Sequence, residues 1–263
     1  MTIQKTLIAQ TPTTKQYNKL SHNLRRLILK MLKTQTQLLV KSKVNILSLP
    51  KWKLNLTIML QRSDEWFESR LGRFTASDSD RLLGSLGNKT TIAKIESYAI
   101  EKASEMYFGK SDEDSFTSFH MERGVTLEPL AFRLFKGKKE LDFIDVENCS
   151  FFKFGKNAGA SPDGVCSNNW NLEIKAPTLK TFNALLSNNE IDAKYYAQMQ
   201  FQMLCNDALG CYFFNYVLHN GEEYSHEILV ARDEVMVDLF KERIEYASEI
   251  KNRHYAKLVE LFG

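Results

Sequence analysis

Three side chains close together in the chain could share one piece of chemistry: Asp163 in Ser161-Pro162-Asp163-Gly164, and Glu173 and Lys175 in Glu173-Ile174-Lys175-Ala176-Pro177. Residues 171–175 alternate as a strand does, and a period of two puts Glu173 and Lys175 on one face. Pro162 and Gly164 give Asp163 a turn setting, so a short return brings its carboxylate beside Glu173. Two carboxylates and a main-chain carbonyl, that of Ile174, form a hard oxygen set suited to Mg²⁺, which keeps several waters and takes one or two carboxylates plus substrate phosphate. Lys175, on the same face, can hold or help deprotonate a water whose pKa the metal lowers. The chemistry would be phosphodiester hydrolysis, with Mn²⁺ expected to substitute for Mg²⁺. Alone, Asp, nine residues, Glu-x-Lys is a loose pattern that a solvated hairpin with three charges also satisfies.

Three further segments add to it. In residues 65–77, Arg70 lies just ahead of a helix beginning near Ala76 that Thr75 or Ser77 can cap; a guanidinium fork beside a helix N-terminus suits phosphate. A surface Arg paired with Glu65 or Glu68 is the plainer reading. In residues 122–131 a helical stripe runs through Leu127, Leu130, Ala131, Leu134 and Phe135. Glu128 adjoins it, and an inward acid needs a partner or a metal; Arg133 or Lys136 could pair with it, and Pro129 leaves the helix geometry open. In residues 195–203, Tyr195, Gln198 and Gln202 share one helical face. The Gln198 amide can orient a water or a phosphate oxygen, or simply bond the adjoining strand, whereas Gln202 reads as structural.

With the flanks Ser-Pro-Asp-Gly and Ile-Lys-Ala-Pro, these segments, in this order, resemble the PD-(D/E)xK nuclease superfamily, specifically its lambda-exonuclease, YqaJ-like branch of phage recombination systems. The resemblance spans roughly residues 60–230. It implies an α/β, restriction-endonuclease-like core with a central mixed β-sheet flanked by helices. It also implies metal held by Asp163, Glu173 and the Ile174 carbonyl with Glu128 in contact or support, catalytic roles for Lys175 and Gln198, and a substrate 5′-phosphate on Arg70, Ser77 and Ser161. The implied activity is 5′-to-3′ removal of nucleotides from double-stranded DNA ends, leaving 3′ overhangs for a single-strand annealing partner, by a homo-oligomer of the trimeric-ring type in a bacterial or phage-infected cytoplasm. An endonuclease of the same superfamily is the alternative enzyme. A catalytically silent DNA-end-binding scaffold is the alternative of another class, against which the intact Asp, Glu and Lys argue.

The composition accommodates this. At 263 residues and 43% hydrophobic content the chain can bury one sizeable core, or a core with an appendage. No apolar run approaches membrane-spanning length, so no membrane association is expected. Residues 1–63 hold 12 Lys or Arg and no Asp or Glu, leaving 23 basic against 32 acidic residues in the remainder. The expected division is a basic segment, 1–58, and a nuclease domain, 59–263. The segment reads as a nucleic-acid-binding arm, as an organellar targeting peptide, or as sequence ahead of a true start at Met59. Cys149, Cys166, Cys205 and Cys211 lack Cys-x-x-Cys spacing and read as buried free thiols rather than iron–sulfur ligands.

The pattern predicts helices near 64–71, 76–84, 91–108 and 117–136, strands near 141–147, 149–154, 158–166 and 170–175, and helices near 178–187 and 192–205. Strands near 210–218 and 223–230 and a last helix over about 233–260 follow. Gly109 should stop a helix, Asn220-Gly221 should turn a hairpin, and Cys211 to Val217 reads as a strand buried on both faces.

Overall fold

The protein is described by a computed structural model covering residues 61, 63–110 and 119–263. These residues belong to the unit Pro50–Gly263; the basic segment 1–58 and the boundary expected at Met59 lie outside them. In chain order the elements are α1 (Asp64–Arg70), β1 (Phe74–Thr75), a 3-10 helix (Ala76–Leu82), α2 (Lys89–Phe108), α3 (Phe119–Leu141), β2 (Val146–Glu147), β3 (Phe152–Phe154), β4 (Ala158–Ala160), β5 (Gly164–Cys166) and β6 (Trp170–Lys175). Then come α4 (Leu179–Asn188), α5 (Ala193–Asn206), β7 (Gly210–His219), β8 (Glu222–Ala231) and α6 (Glu234–Phe262).

The main sheet has the order β2-β5-β6-β7-β8, with β6 and β7 parallel and the other neighbours antiparallel. The β7–β8 hairpin turns on Asn220 and Gly221, whose φ values of 51° and 81° suit a type I′ turn. A smaller sheet, β1-β4-β3, stands apart. Helix α3 covers one face of the main sheet, packing Leu127, Ala131 and Phe135 on Leu172, Ile174, Tyr212, Phe214 and Tyr216. The other face takes α5 through Met199 and Met203 against Cys211, Phe213 and Val230. The opposite side of α5, through Ala197, Phe201 and Leu204, packs into a second core with α2, α6, the 3-10 helix and β4. Helix α5 therefore lies between two cores, and β6 turns Leu172 and Ile174 toward α3 while Glu173 and Lys175 turn toward α5.

The structure departs from the sequence-based expectations in four places. The strand expected over 158–166 is two strands in different sheets, β4 and β5, because the chain crosses between them at Ser161-Pro162-Asp163. Helix α3 runs through Pro129 and on to Leu141, so the strand expected from 141 shrinks to β2. The helix expected at 76–84 is a 3-10 helix, and Thr75, at its N-cap, makes no side-chain cap bond. Thr75 Oγ1 instead meets Ser77 Oγ and Asp78 Oδ2. Elsewhere the ends agree closely: α2 starts from an Asn88 cap and stops at Gly109, which has φ 69°. All four cysteines are free, and Cys149, Cys166 and Cys211 are buried.

Candidate active site

Strand pairing sets the acidic end of the site. The Asp163 N–H donates to Leu172 O at 2.9 Å, which extends the β5–β6 ladder by one residue. Asp163 Oδ2 in turn accepts the Ile174 N–H at 2.6 Å. The carboxylate thus lies against the strand carrying Glu173. Glu173 is only 1% exposed, and three donors from two elements hold it. Its Oε1 accepts from Lys175 Nζ at 2.6 Å and Gln198 Nε2 at 2.7 Å, and its Oε2 accepts from Gln202 Nε2 at 2.6 Å. Gln198 Oε1 also accepts from Lys175 Nζ at 3.3 Å, and the ammonium stands 4.7 Å from the centre of the Tyr195 ring.

Gln198 therefore bonds the adjoining strand through its Glu173 and Lys175 side chains. Gln202, read from sequence as structural, has a structural bond of that kind, to Glu173 Oε2. Its place one turn beyond Gln198, on the same face, was the available signal.

Burial and neighbouring carboxylates set the electrostatics. Burial pushes the Asp163 carboxyl well above its ordinary range, the charges of Glu173 and Glu128 push the same way, and Lys175 and the Ile174 N–H oppose them. Burial pulls the Lys175 ammonium down, but Glu173 and Asp163 outweigh it and the pKa is raised. Among the described residues, no three His, Cys, Asp or Glu side chains gather closely enough to enclose a metal. Glu128 is thus not drawn into one ligand cluster with Asp163 and Glu173, although all three line one cavity. Two carboxylates with the Ile174 carbonyl remain a sparse, hard set that fits a largely hydrated divalent cation, and a cation there would offset the burial and the repulsion that raise Asp163.

The other end is built from side chains of α1, the 3-10 helix and the crossing between β4 and β5. The Arg70 guanidinium lies over the Trp66 ring, 4.3 Å from its centre, and its Nη2 donates to Ser77 Oγ at 3.3 Å. Trp66 Nε1 donates to Ser161 Oγ at 2.8 Å, and Gln61 Nε2 donates to Pro162 O at 2.8 Å. Arg70, Ser77 and Ser161, predicted from sequence as a phosphate set, are thereby brought together by Trp66. The sequence reading gave Trp66 no role; the need of a part-buried indole N–H for an acceptor was the signal. Asp78 sits beside them, its Oδ2 accepting from Ser77 Oγ at 3.1 Å.

The turn after Arg70 is clamped. Gly72 has φ 66°, and a Cβ there would lie 2.9 Å from Met106 Cβ. Its N–H donates to Glu105 Oε2 at 3.1 Å, and its carbonyl accepts from Lys251 Nζ at 2.7 Å.

Asp163, Glu173, Ile174, Lys175, Glu128, Gln198, Arg70, Ser77 and Ser161 all line one cavity of about 1180 Å³. A mixed sheet that carries paired acids and a lysine where an antiparallel strand meets a parallel one, flanked by helices, is an α/β fold of the restriction-endonuclease-like class. Within that class the family is specific: the YqaJ-like viral recombinase domain matches residues 65–208, more than half of the chain, and the chain belongs to this family.

No curated protein matches the chain. Among solved structures it is similar to the alkaline exonuclease LHK-Exo from Laribacter hongkongensis, with a TM-score of 0.63, 22% identity, and coverage of 76% of this chain and 98% of that one. The same enzyme in complex with dAMP gives a TM-score of 0.62 at 22% identity, with 76% and 98% covered. A phage-related exonuclease from Haemophilus somnus 129PT gives 0.52 at 16% identity, with 73% and 96% covered. These likenesses concern the fold. No helix among the described residues is long and apolar enough to cross a membrane.

Proposed function

We propose that the protein is a divalent-metal-dependent deoxyribonuclease, a 5′-to-3′ exonuclease acting on double-stranded DNA ends, with Mg²⁺ the expected ion and Mn²⁺ able to replace it. The observation that carries the reading is the single cavity in which Asp163, Glu173 and Lys175 share a wall with Arg70, Ser77 and Ser161. An acid set and a phosphate set at separate positions suit an enzyme that anchors a terminal phosphate and cuts a nearby bond. Family membership, and the exonucleases among the similar structures, support it.

In this reading Asp163, Glu173 and the Ile174 carbonyl hold the cation, with Glu128 contributing from the cavity wall. The bound ion supplies a water of lowered pKa and neutralises charge on the phosphate. Lys175 Nζ, anchored by Glu173 and Gln198, holds the attacking water. Gln198 and Gln202 fix Glu173, so its carboxylate keeps one orientation through the cycle. Arg70 takes the 5′-phosphate through its planar fork while its other face rests on Trp66, and the Ser77 and Ser161 hydroxyls complete the contact. The resulting 3′ overhang is the substrate of a single-strand annealing partner, and the working form is a homo-oligomeric ring. Residues 59–263 carry the activity in this proposal, so a chain beginning at Met59 should retain it.

The test compares end-labelled linear duplex with covalently closed circular duplex, with and without Mg²⁺. Release of nucleotides from the linear 5′ strand alone, abolished by chelation, is expected. Efficient cutting of the closed circle would favour an endonuclease, and no cleavage of either would favour a silent end-binding scaffold.

A further inference from the structure

One group at the phosphate end has the wrong charge for it. Asp78 lines the cavity with Arg70, Ser77 and Ser161, yet a carboxylate repels the anion that these three would take. It stands in the first turn of the 3-10 helix, next in sequence to Ser77. Among the described residues no lysine or arginine forms a salt bridge with it. Its Oδ2 instead accepts from two hydroxyls, Ser77 Oγ at 3.1 Å and Thr75 Oγ1 at 3.4 Å. An acid so placed also suits the positive end of a helix, but both of these bonds are to hydroxyls rather than to N–H groups of the helix start, so capping does not account for them.

The protons make the conflict specific. Ser77 Oγ carries one. Arg70 Nη2 donates to that oxygen at 3.3 Å, so the oxygen accepts from the guanidinium while its proton goes to Asp78. A phosphate on Arg70 gains a bond from Ser77 only if that proton leaves the carboxylate. Asp78 therefore competes with the phosphate for the Ser77 proton, and its charge opposes the phosphate from across the same oxygen.

An exonuclease has a use for such opposition. When a terminal phosphate is anchored at Arg70 and the next bond is cut, the anchored phosphate leaves with the mononucleotide, and the site must empty before the new 5′ end can enter. A guanidinium and two hydroxyls with no opposing charge would hold the departing phosphate as firmly as the arriving one. Release would then limit turnover.

We propose that Asp78 sets the strength of the phosphate site: it contests the Ser77 proton and repels the anchored 5′-phosphate, so that the phosphate is let go after each cut. The assignment rests on the exonuclease reading above and adds to it the step that follows hydrolysis.

The test takes the full-chain protein and its Asp78→Asn and Asp78→Ala variants, with duplexes ending in a 5′-phosphate or a 5′-hydroxyl. Binding is followed by fluorescence anisotropy without divalent metal. Both variants should bind the 5′-phosphorylated duplex about 10- to 100-fold more tightly than the parent, the size expected of removing one like charge at close range near a protein surface, and the 5′-hydroxyl duplex as the parent does. With Mg²⁺ and saturating 5′-phosphorylated duplex, both should release nucleotides more slowly than the parent. A carboxylate that only braces the 3-10 helix gives the opposite sign, weaker binding on its loss. Weaker or unchanged binding, equal gains on both ends, or tighter binding with undiminished nucleotide release would overturn the assignment alone. A parent that does not prefer the 5′-phosphate would overturn it together with the phosphate reading of Arg70. If both variants fail to fold by circular dichroism, Asp78→Ser is measured in the same way, and failure of all three assigns Asp78 to the helix and overturns the proposal.

Discussion

The carboxylate end and the phosphate end of the cavity are held by different kinds of structure. Asp163, Glu173 and Lys175 stand on paired strands, and backbone register alone brings them within reach of one another. The buried Glu173 then has three donors fixing its two oxygens. Arg70 and Ser77 stand on a seven-residue helix and a 3-10 helix. They meet Ser161 through a single indole bond between residues 95 positions apart. The first arrangement tolerates little displacement, because every group there braces another. The second spreads over side chains of separate elements, with Ser77 Oγ meeting Arg70, Thr75 and Asp78 and Arg70 lying on Trp66, so the loss of one contact leaves others in place. Damage at the acid end should therefore be close to all-or-none, and damage at the phosphate end graded.

The largest effects should come from the acids and the lysine. Asp163→Ala, Glu173→Ala and Lys175→Ala should each lower nucleotide release by about 10²- to 10⁴-fold, in the range of lost acid–base or electrostatic catalysis, with circular dichroism unchanged. A parent-like rate in Asp163→Ala or Glu173→Ala would break the comparison at its stronger end. Next should be Gln202→Leu, which leaves Glu173 Oε2 without its buried donor. A hydrogen bond to a charged group contributes about 1.5–3 kcal/mol, so the rate should fall about 10- to 100-fold at little change in KM. Equal rates in parent and variant would return Gln202 to a packing role.

Legibility in the sequence follows the same division. Asp163, Glu173 and Lys175 were readable because a strand's period of two and a turn at Pro162 and Gly164 are local rules. The hairpin at Asn220-Gly221 and the stop at Gly109 were readable for the same reason. The break between β4 and β5 was not. Ala158, Gly159, Ala160, Gly164, Val165 and Cys166 are all buried, so no alternation of polar and apolar residues separates two strands in different sheets from one longer strand. The length of α3 was hidden as well. Lys138 and Lys139 near its end look like a solvated terminus, but Lys139 Nζ reaches Glu227 Oε1 at 2.9 Å and stands over the Tyr212 ring. Such contacts across the sheet exist only once it is assembled, and the same is true of Trp66 with Ser161.

At the phosphate end, Arg70→Ala should slow cleavage of 5′-phosphorylated ends far more than of 5′-hydroxyl ends. The difference should be about 10- to 100-fold, equivalent to about 1.5–3 kcal/mol for a charge-assisted contact. Arg70→Lys should recover only part of it, because an ammonium neither forks to phosphate nor lies flat on Trp66. Equal losses on both ends would remove the 5′-phosphate from this site.

The smallest effect should come from Trp66→Phe, and it decides whether the phosphate end is truly a set of separable contacts. Phenylalanine keeps an aromatic face beneath Arg70 but cannot donate to Ser161 Oγ, so one neutral hydrogen bond, worth about 0.5–1.5 kcal/mol, is lost and the rest of the set stays. Discrimination between 5′-phosphate and 5′-hydroxyl ends should fall about 2- to 10-fold. Ser161→Ala should cost more, because it also removes the hydroxyl that meets the phosphate, and the double variant should be little worse than Ser161→Ala alone, since both changes remove the same indole bond. A Trp66→Phe loss as large as that of Arg70→Ala would mean that the indole N–H holds the guanidinium and both serines as one unit, and the phosphate end would then be as interdependent as the acid end.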